Sequence, residues 1–259
     1  MNAEEILALY DQEQRREVEY PGARREETPQ IVRHVALMEH DQGFVLYSQV
    51  NSSNAEEIIG EQIAYFTGIG QDFEWKLYSH DTPPDLKDRL EALGFLIGES
   101  EAVMALELDA ASALLLEPVS QDVRRITTPQ KIGDVVFVQE QVWDTDFGGL
   151  AERLVNDLRY NPEHLSVYVA YEDNSPVSTA WIYFHPNSQF ASLWGGSTLP
   201  AYRERGLYTA LLAVRLQEAQ QRGVRFLTVD AGPMSQPILE KHGFQKITTA
   251  YACIWKVKQ

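Results

Sequence analysis

Hydrophobic positions along the chain recur either at alternate residues or at spacings of three and four. These two rhythms divide it into short strands and helices. Residues 2–16 place Ile6, Leu7 and Tyr10 on one helical face, with Asn2 where an N-cap would stand. After Pro21-Gly22, the segments Ile31–Met38 and Phe44–Val50 predict strands around the turn residues Asp41-Gln42-Gly43. The spacing then predicts a helix over Asn54–Phe66, a strand over Phe73–Tyr78, a helix over Pro84–Leu93 and a strand over Val103–Leu108. The pattern lapses across Asp109–Gln121, which contains Pro118, so a domain boundary is expected there, between residues 1–119 and 120–259.

The second part repeats the alternation. A strand over Val123–Ile126 precedes helices near Pro129–Val142 and Gly149–Leu158. Ser166–Tyr171 and Val177–Phe184 form a hairpin around the turn-rich Glu172–Pro176. Next come a strand over Phe190–Trp194, a helix from Gly206 to Gln221, a strand over Phe226–Val229, a short helix over Ser235–Lys241 and a strand over Lys246–Val257. Antiparallel strands followed by strands alternating with helices predict an α/β protein of mixed α+β character. A shift of 149 residues, without gaps, lays Lys76–Phe95 over Arg225–Phe244 with 6 identities in 20. Asp81 falls on Asp230 and Gly94-Phe95 on Gly243-Phe244, which points to two related mixed sheets in tandem.

Charge divides more sharply than hydrophobicity. The chain of 259 residues has a formal net charge of −16, and all of it lies in residues 1–119, with 8 Lys+Arg against 24 Asp+Glu; residues 120–259 hold 14 of each. An acidic chain lacks the basic face that nucleic acid requires, so no nucleic-acid partner is expected. No apolar run approaches the roughly 20 residues of a membrane span, and Glu4-Glu5 stand where a signal peptide would carry lysines. The single cysteine, Cys253, excludes an intrachain disulfide, and the six histidines show no metal-ligand spacing. A cytoplasmic protein without membrane or metal partners is expected.

The stretch Leu199–Leu212 carries the chemistry. A strand ends, a basic turn follows with Arg203-Glu204-Arg205-Gly206, and a helix begins with Leu207-Tyr208-Thr209. A helix start preceded by glycine gathers unpaired N–H groups and the positive end of a helix dipole, which together bind phosphate. The segment resembles the pyrophosphate-binding motif of the GNAT superfamily of N-acetyltransferases, Gln/Arg-x-x-Gly-x-Gly/Ala. Arg203 and Gly206 take the first two places, and Tyr208 departs from the last. Pro237–Phe244 resembles the following helix of that family with its Gly-Phe ending.

The resemblance implies two GNAT-like domains in tandem, a degenerate copy over residues 1–119 and an acyl-CoA-binding copy over 120–259. Acetyl-CoA would lie between two splayed parallel strands near Gly195–Leu199 and Phe226–Val229, its pantetheine arm pairing with Gly196, Ser197 and Thr198. Its pyrophosphate would sit over Arg205, Gly206, Leu207, Tyr208 and Thr209. The implied reaction is direct attack of an amine on the thioester, which needs a base for the amine and an acid for the leaving thiolate. The family's usual tyrosine acid is replaced by Leu239, and its frequent asparagine by Gly232. Asp230 is the candidate base, although its match to Asp81 equally fits a turn or cap. Tyr251 is the candidate acid and equally a packing residue, while Ser235 is a polar group expected near the sulfur. Tyr183 and His185 end a strand and would line the substrate side, with a plain surface position as the equal alternative for either. The expected activity is N-acetyl transfer from acetyl-CoA to an amine, with a non-catalytic acyl-CoA-binding or regulatory protein as the alternative. The acidic first half favours a cationic amine as substrate.

Overall fold

A computed structural model describes residues 1–38 and 41–257. In chain order the helices are α1 (Ala3–Tyr10), α2 (Ala55–Gly68), α3 (Leu86–Ala92), α4 (Ile132–Trp143), α5 (Gly148–Tyr160), α6 (Leu207–Gln221) and α7 (Gln236–Lys241). The strands are β1 (Ala23–Glu27), β2 (Ile31–Ala36), β3 (Gly43–Ser48), β4 (Phe73–Tyr78), β5 (Leu96–Glu107), β6 (Val123–Ile126), β7 (Leu165–Glu172), β8 (Ser175–Phe184), β9 (Phe190–Thr198), β10 (Phe226–Ala231) and β11 (Gln245–Trp255). Spatial clustering divides the chain into two units. One comprises Met1–Met104, Asp230–Gln236 and the C-terminal segment from Lys246; the other comprises Ala105–Val229 and Pro237–Gln245. Chain order and spatial grouping therefore differ, because the last strand groups with the first hundred residues.

In the first unit the strands follow the order β1-β2-β3-β4-β11-β5. β1, β2 and β3 are antiparallel, whereas β3 and β4 run parallel over three registered pairs, Gly43↔Phe73 to Val45↔Trp75. β11 pairs antiparallel with β4 from Ala250↔Tyr78 to Trp255↔Phe73. Alternation along these strands sends Trp75, Leu77 and Cys253 into one core with Phe66, Leu86 and Leu90 of α2 and α3. Phe66 stacks on Phe73 with centroids 4.3 Å apart. Burial pushes the Cys253 thiol up to about 12, leaving it an inert packing group.

The expected helix over residues 2–16 is broken. The Asn2–Glu5 capping box starts α1, but from Asp11 to Arg16 the chain forms a π-helical turn. That turn buries Arg15, which is 1% exposed. Its guanidinium reaches Asp81 at 2.6 Å, Asp11 at 2.8 Å and the Leu46 carbonyl at 3.0 Å, and it lies 4.0 Å from the Tyr78 ring centroid. Burial opposes the cation, yet Asp81 and Asp11 outweigh it and hold Arg15 charged. β1, Ala-Arg-Arg-Glu-Glu, has no hydrophobic rhythm and is not anticipated from sequence. It forms as a charged edge strand whose Glu26 pairs with Arg33 of β2 at 2.7 Å.

In the second unit the order is β10-β9-β8-β7-β6. β6 to β9 are antiparallel, and β9 and β10 run parallel. One face of this sheet packs Val167, Val169 and Trp181 against Ile132, Val135 and Leu154 of α4 and α5. The other packs Tyr168, Ala170 and Ala180 against Leu207 and Leu211 of α6. Each unit thus ends an antiparallel run in a short parallel pair, as expected of tandem mixed sheets. Among the described residues no helix is long and apolar enough to cross a membrane, and no group of three or more His, Cys, Asp or Glu side chains is placed to hold a metal ion.

Candidate functional site

The site in the second unit begins where two strands part. β9 and β10 are registered only from Phe190↔Phe226 to Ser192↔Thr228, although β9 continues to Thr198. On its other side β9 passes from Trp181↔Trp194 to Thr179↔Ser197, so Gly195 and Gly196 have no registered partner in either neighbour. The residues 195–198 that the sequence left beyond the strand therefore form its irregular end. Gly195 is required here: its φ is +63°, and a Cβ would lie 1.8 Å from the Trp181 ring.

Side chains hold this open segment from both faces. Gln139 of α4, 3% exposed, donates to the Gly195 carbonyl at 2.8 Å and accepts from the Ser197 hydroxyl at 3.1 Å. The Trp143 indole N–H also donates to Ser197 Oγ at 3.0 Å, and Ser178 donates to the Ser197 carbonyl at 2.8 Å. From the α6 side, the Tyr208 ring lies against Gly196, where a Cβ would meet Tyr208 Cε2 at 2.9 Å. The departure from the motif at Tyr208 is thus matched by a strand residue without a side chain. Gly196→Ala should cost about 1–3 kcal/mol by overpacking. The same change in a Tyr208→Ala background should cost little, a coupling that urea unfolding of the double-mutant cycle measures. Equal costs in both backgrounds would show that the ring does not fill this space.

The turn after β9 carries the basic motif. Pro200–Tyr202 form one 3-10 turn, Glu204 takes φ +62°, and Gly206 takes φ +78° as the N-cap of α6. Gly206 has no side chain to cap α6 and no other side chain among the described residues caps it, and the first turn of a helix supplies N–H groups that lack an intrahelical acceptor. Arg203, Glu204, Arg205 and Gly206 are exposed. Arg203 Nε donates to the Thr198 carbonyl at 3.3 Å, and Arg205 to the Ala201 carbonyl at 3.1 Å. The arginines fold against their own turn, beside the helix start. The structure therefore gathers Gly196, Ser197, Thr198 and Arg203–Thr209 at one end of β9 and α6. These groups fit the coenzyme that the motif implies: an unregistered strand segment for an amide-bearing arm, and a helix dipole, first-turn N–H groups and two guanidinium groups for a pyrophosphate.

Asp230, Tyr251 and Ser235 lie in the first unit. Asp230 stays on β10, two residues past Thr228, and ion-pairs with Lys76 of β4; their side chains are 23% and 17% exposed. Burial opposes the Lys76 ammonium, but the Asp230 carboxylate outweighs it and raises the lysine above its ordinary value. Asp81, the matching residue, instead sits in a turn and accepts the Tyr78 N–H at 2.9 Å. The repeat register aligns the two aspartates without giving them one role. Tyr251 pairs with Leu77 and packs on the core of α2 and α3, with Lys87 Nζ 5.2 Å from its ring centroid. Lys76, one residue on along β4, points to the opposite face, so the sheet separates Tyr251 from the Lys76–Asp230 pair. The Ser235 hydroxyl donates to the Gly232 carbonyl at 3.2 Å and serves its own turn. Leu239, where the family's acid would stand, is fully buried.

On the sheet face of α4 and α5, Tyr183 donates to Asp157 at 2.8 Å and His185 bonds Ser192 Oγ at 2.8 Å. Burial lowers the His185 imidazole to about 4, so it is neutral at physiological pH. Three contributors escaped the sequence reading: Gln139, Trp143 and Arg215. For Gln139 and Arg215 the signal is a polar residue on an apolar helix face, as Arg215 is within Ala210-Leu211-Leu212-Ala213-Val214-Arg215-Leu216.

Residues 135–244 match the sequence model of the Acetyltransferase (GNAT) family. No curated protein sequence matches the chain. Among solved structures, a GCN5-related N-acetyltransferase from Kribbella flavida is similar with a TM-score of 0.69 at 15% identity, covering 97% of this chain and 95% of that one. A functionally unknown conserved protein from Staphylococcus epidermidis aligns with a TM-score of 0.66 at 16% identity, over 92% and 95%. A tandem GNAT protein from the clavulanic acid biosynthesis pathway aligns with a TM-score of 0.59 at 14% identity, over 93% and 86%. At these identities the likeness is one of fold.

Proposed function

We propose, from the premise that residues 135–244 form a GNAT-family acetyltransferase domain, that this chain is an N-acyltransferase which moves an acetyl group from acetyl-CoA to an amine. The observation that carries the reading is the open end of β9 leading directly into the Gly206-capped start of α6. In this proposal Gly196, Ser197 and Thr198 bind the pantetheine arm, and the first-turn N–H groups of α6 with Arg203 and Arg205 hold the pyrophosphate. The amine nitrogen bonds to the thioester carbonyl carbon, the C–S bond breaks with its electron pair leaving on sulfur, and the proton shed by nitrogen balances the thiol product. Asp230 is retained as the candidate base because it is a carboxylate at the end of β10; its standing partner is Lys76. Tyr251 is given a packing role, since it faces the core of α2 and α3.

A second reading, a non-catalytic acyl-CoA-binding protein, is favoured by one observation: Leu239 puts a buried apolar side chain where an acid is expected. Calorimetry with acetyl-CoA, followed by turnover with a panel of amines, separates the two. Binding with amine-dependent CoA release supports transfer, and binding without release from any amine supports the second reading. The acidic first half favours a cationic acceptor. With coenzyme saturating, kcat/KM for such an acceptor should fall as salt screens the charge over about 10 Å at 0.1 M. A flat salt response would remove that preference.

A further inference from the structure

Two arginines are deeply buried, and they are treated oppositely. Arg15 has two carboxylates. Arg215 of α6, 2% exposed, has none among the described residues. Its Nε donates to the Leu211 carbonyl at 2.9 Å, and its Nη1 to the carbonyls of Trp181 at 3.2 Å and Trp194 at 3.4 Å. Burial lowers the guanidinium to about 10, so it remains cationic at neutral pH. A buried cation without a counter-ion lowers stability, so packing gives no account of it.

Its acceptors give one. Trp181 and Trp194 are the last registered pair before the irregular end of β9. The Trp194 carbonyl belongs to the same planar trans peptide as the Gly195 N–H, and the two groups point in opposite directions. A cation held at the oxygen draws electron density toward it and makes the N–H at the far end a stronger donor. Gly195 lies where β9 has no registered partner on either side.

We infer that Arg215 is a positioning residue for acyl transfer, fixing and polarising the Trp194–Gly195 peptide so that the Gly195 N–H bonds the carbonyl oxygen of a bound acyl thioester. The inference rests on the acyl-CoA reading above. As the amine nitrogen bonds to the carbonyl carbon, the C=O π pair moves onto oxygen. When the C–S bond breaks, that pair returns and the bonding pair leaves on sulfur. A donor that strengthens with the charge on oxygen lowers the barrier to the first of these changes.

The test compares the wild-type protein with Arg215→Met and Arg215→Lys, using acetyl-CoA labelled with 13C at the carbonyl. Isotope-edited infrared spectra should show the bound carbonyl band below that of free acetyl-CoA in the wild type. The shift should largely vanish in Arg215→Met and be partly restored in Arg215→Lys. Calorimetric Kd for acetyl-CoA should stay within about threefold, while kcat with saturating amine falls about 10²-fold in Arg215→Met. That variant should melt at or above the wild-type temperature, because it removes an unpaired buried charge. An identical band shift in all three proteins overturns the inference and leaves the coenzyme reading intact. Loss of folding or of affinity in step with kcat, in both variants, assigns Arg215 to holding the strand and also overturns it. A wild-type protein that binds no acetyl-CoA overturns the reading itself, and the inference with it.

Discussion

Gly206→Glu should abolish acyl-CoA binding, weakening Kd by more than about 10²-fold. Two separate penalties act together. Gly206 holds φ +78°, a conformation that costs an L-residue roughly 1–2 kcal/mol. The added carboxylate also stands at the first turn of α6, where it would repel the pyrophosphate and pair with the N–H groups meant for it. Gly206→Asn separates the penalties, since asparagine tolerates the left-handed region and carries no charge. It should retain most of the affinity. The wild-type stoichiometry should be one per chain, because the corresponding helix start in the first unit has an acidic first turn and no basic one before it. There Asn54 Oδ1 accepts the Asn51 N–H at 2.7 Å, Asn51 Oδ1 accepts from Ser53, and Glu56 and Glu57 fill the first turn of α2 with negative charge. Unchanged binding by Gly206→Glu, or two equivalent sites, would remove the assignment of the pyrophosphate to α6.

Arg15→Met should destabilise the first unit by about 3–5 kcal/mol, the usual penalty for removing one partner from a buried ion pair. Asp81 is 4% exposed at its side chain and would keep only the Tyr78 N–H. The same substitution at Arg215 is expected to be neutral or stabilising, so one chemical change at two equally buried arginines should move stability in different directions. Burial raises the Asp11 carboxyl, but its hydrogen bond to His80 and the charge of Arg15 outweigh this and hold it below its ordinary value. Its contribution is therefore present above the unfolded carboxylate pKa and is lost as pH falls. Urea unfolding of Arg15→Met should accordingly show a weaker loss of stability below about pH 4 than the wild type. A Met variant with wild-type stability would mean that the turn from Asp11 to Arg16 is held by its neighbours alone.

What could be read in the sequence was what repeats or alternates. β4 stands over Phe73–Tyr78 as expected because its odd-numbered residues all turn to one core, and α6 was marked by its glycine and basic turn. β1 was invisible because ion pairs with β2, rather than apolar side chains, fix its place. The apolar rhythm of β9 stops at Trp194 because Gly195 and Gly196 interrupt it, whereas side chains from α4, β8 and α6 hold the strand on to Thr198. The partner of Asp230 lies 154 residues away in Lys76, and local spacing carries no information about a contact of that range. Gln139 and Arg215 were legible only as exceptions to an apolar face, a signal that marks a polar site without naming its chemistry.

β11 also sets the order in which this protein is completed. A ribosome releases residues in sequence, and Ala250–Trp255 emerge about 170 residues after Tyr78–Phe73, yet the two pair near the middle of the first unit's strand order. Until β11 has emerged, β4 therefore presents an unfilled edge next to a half-built core, the kind of edge that recruits foreign strands. Nascent chains stalled before residue 245 should remain sensitive to protease within residues 1–104, and deletion of Gln245–Trp255 should unfold the first unit.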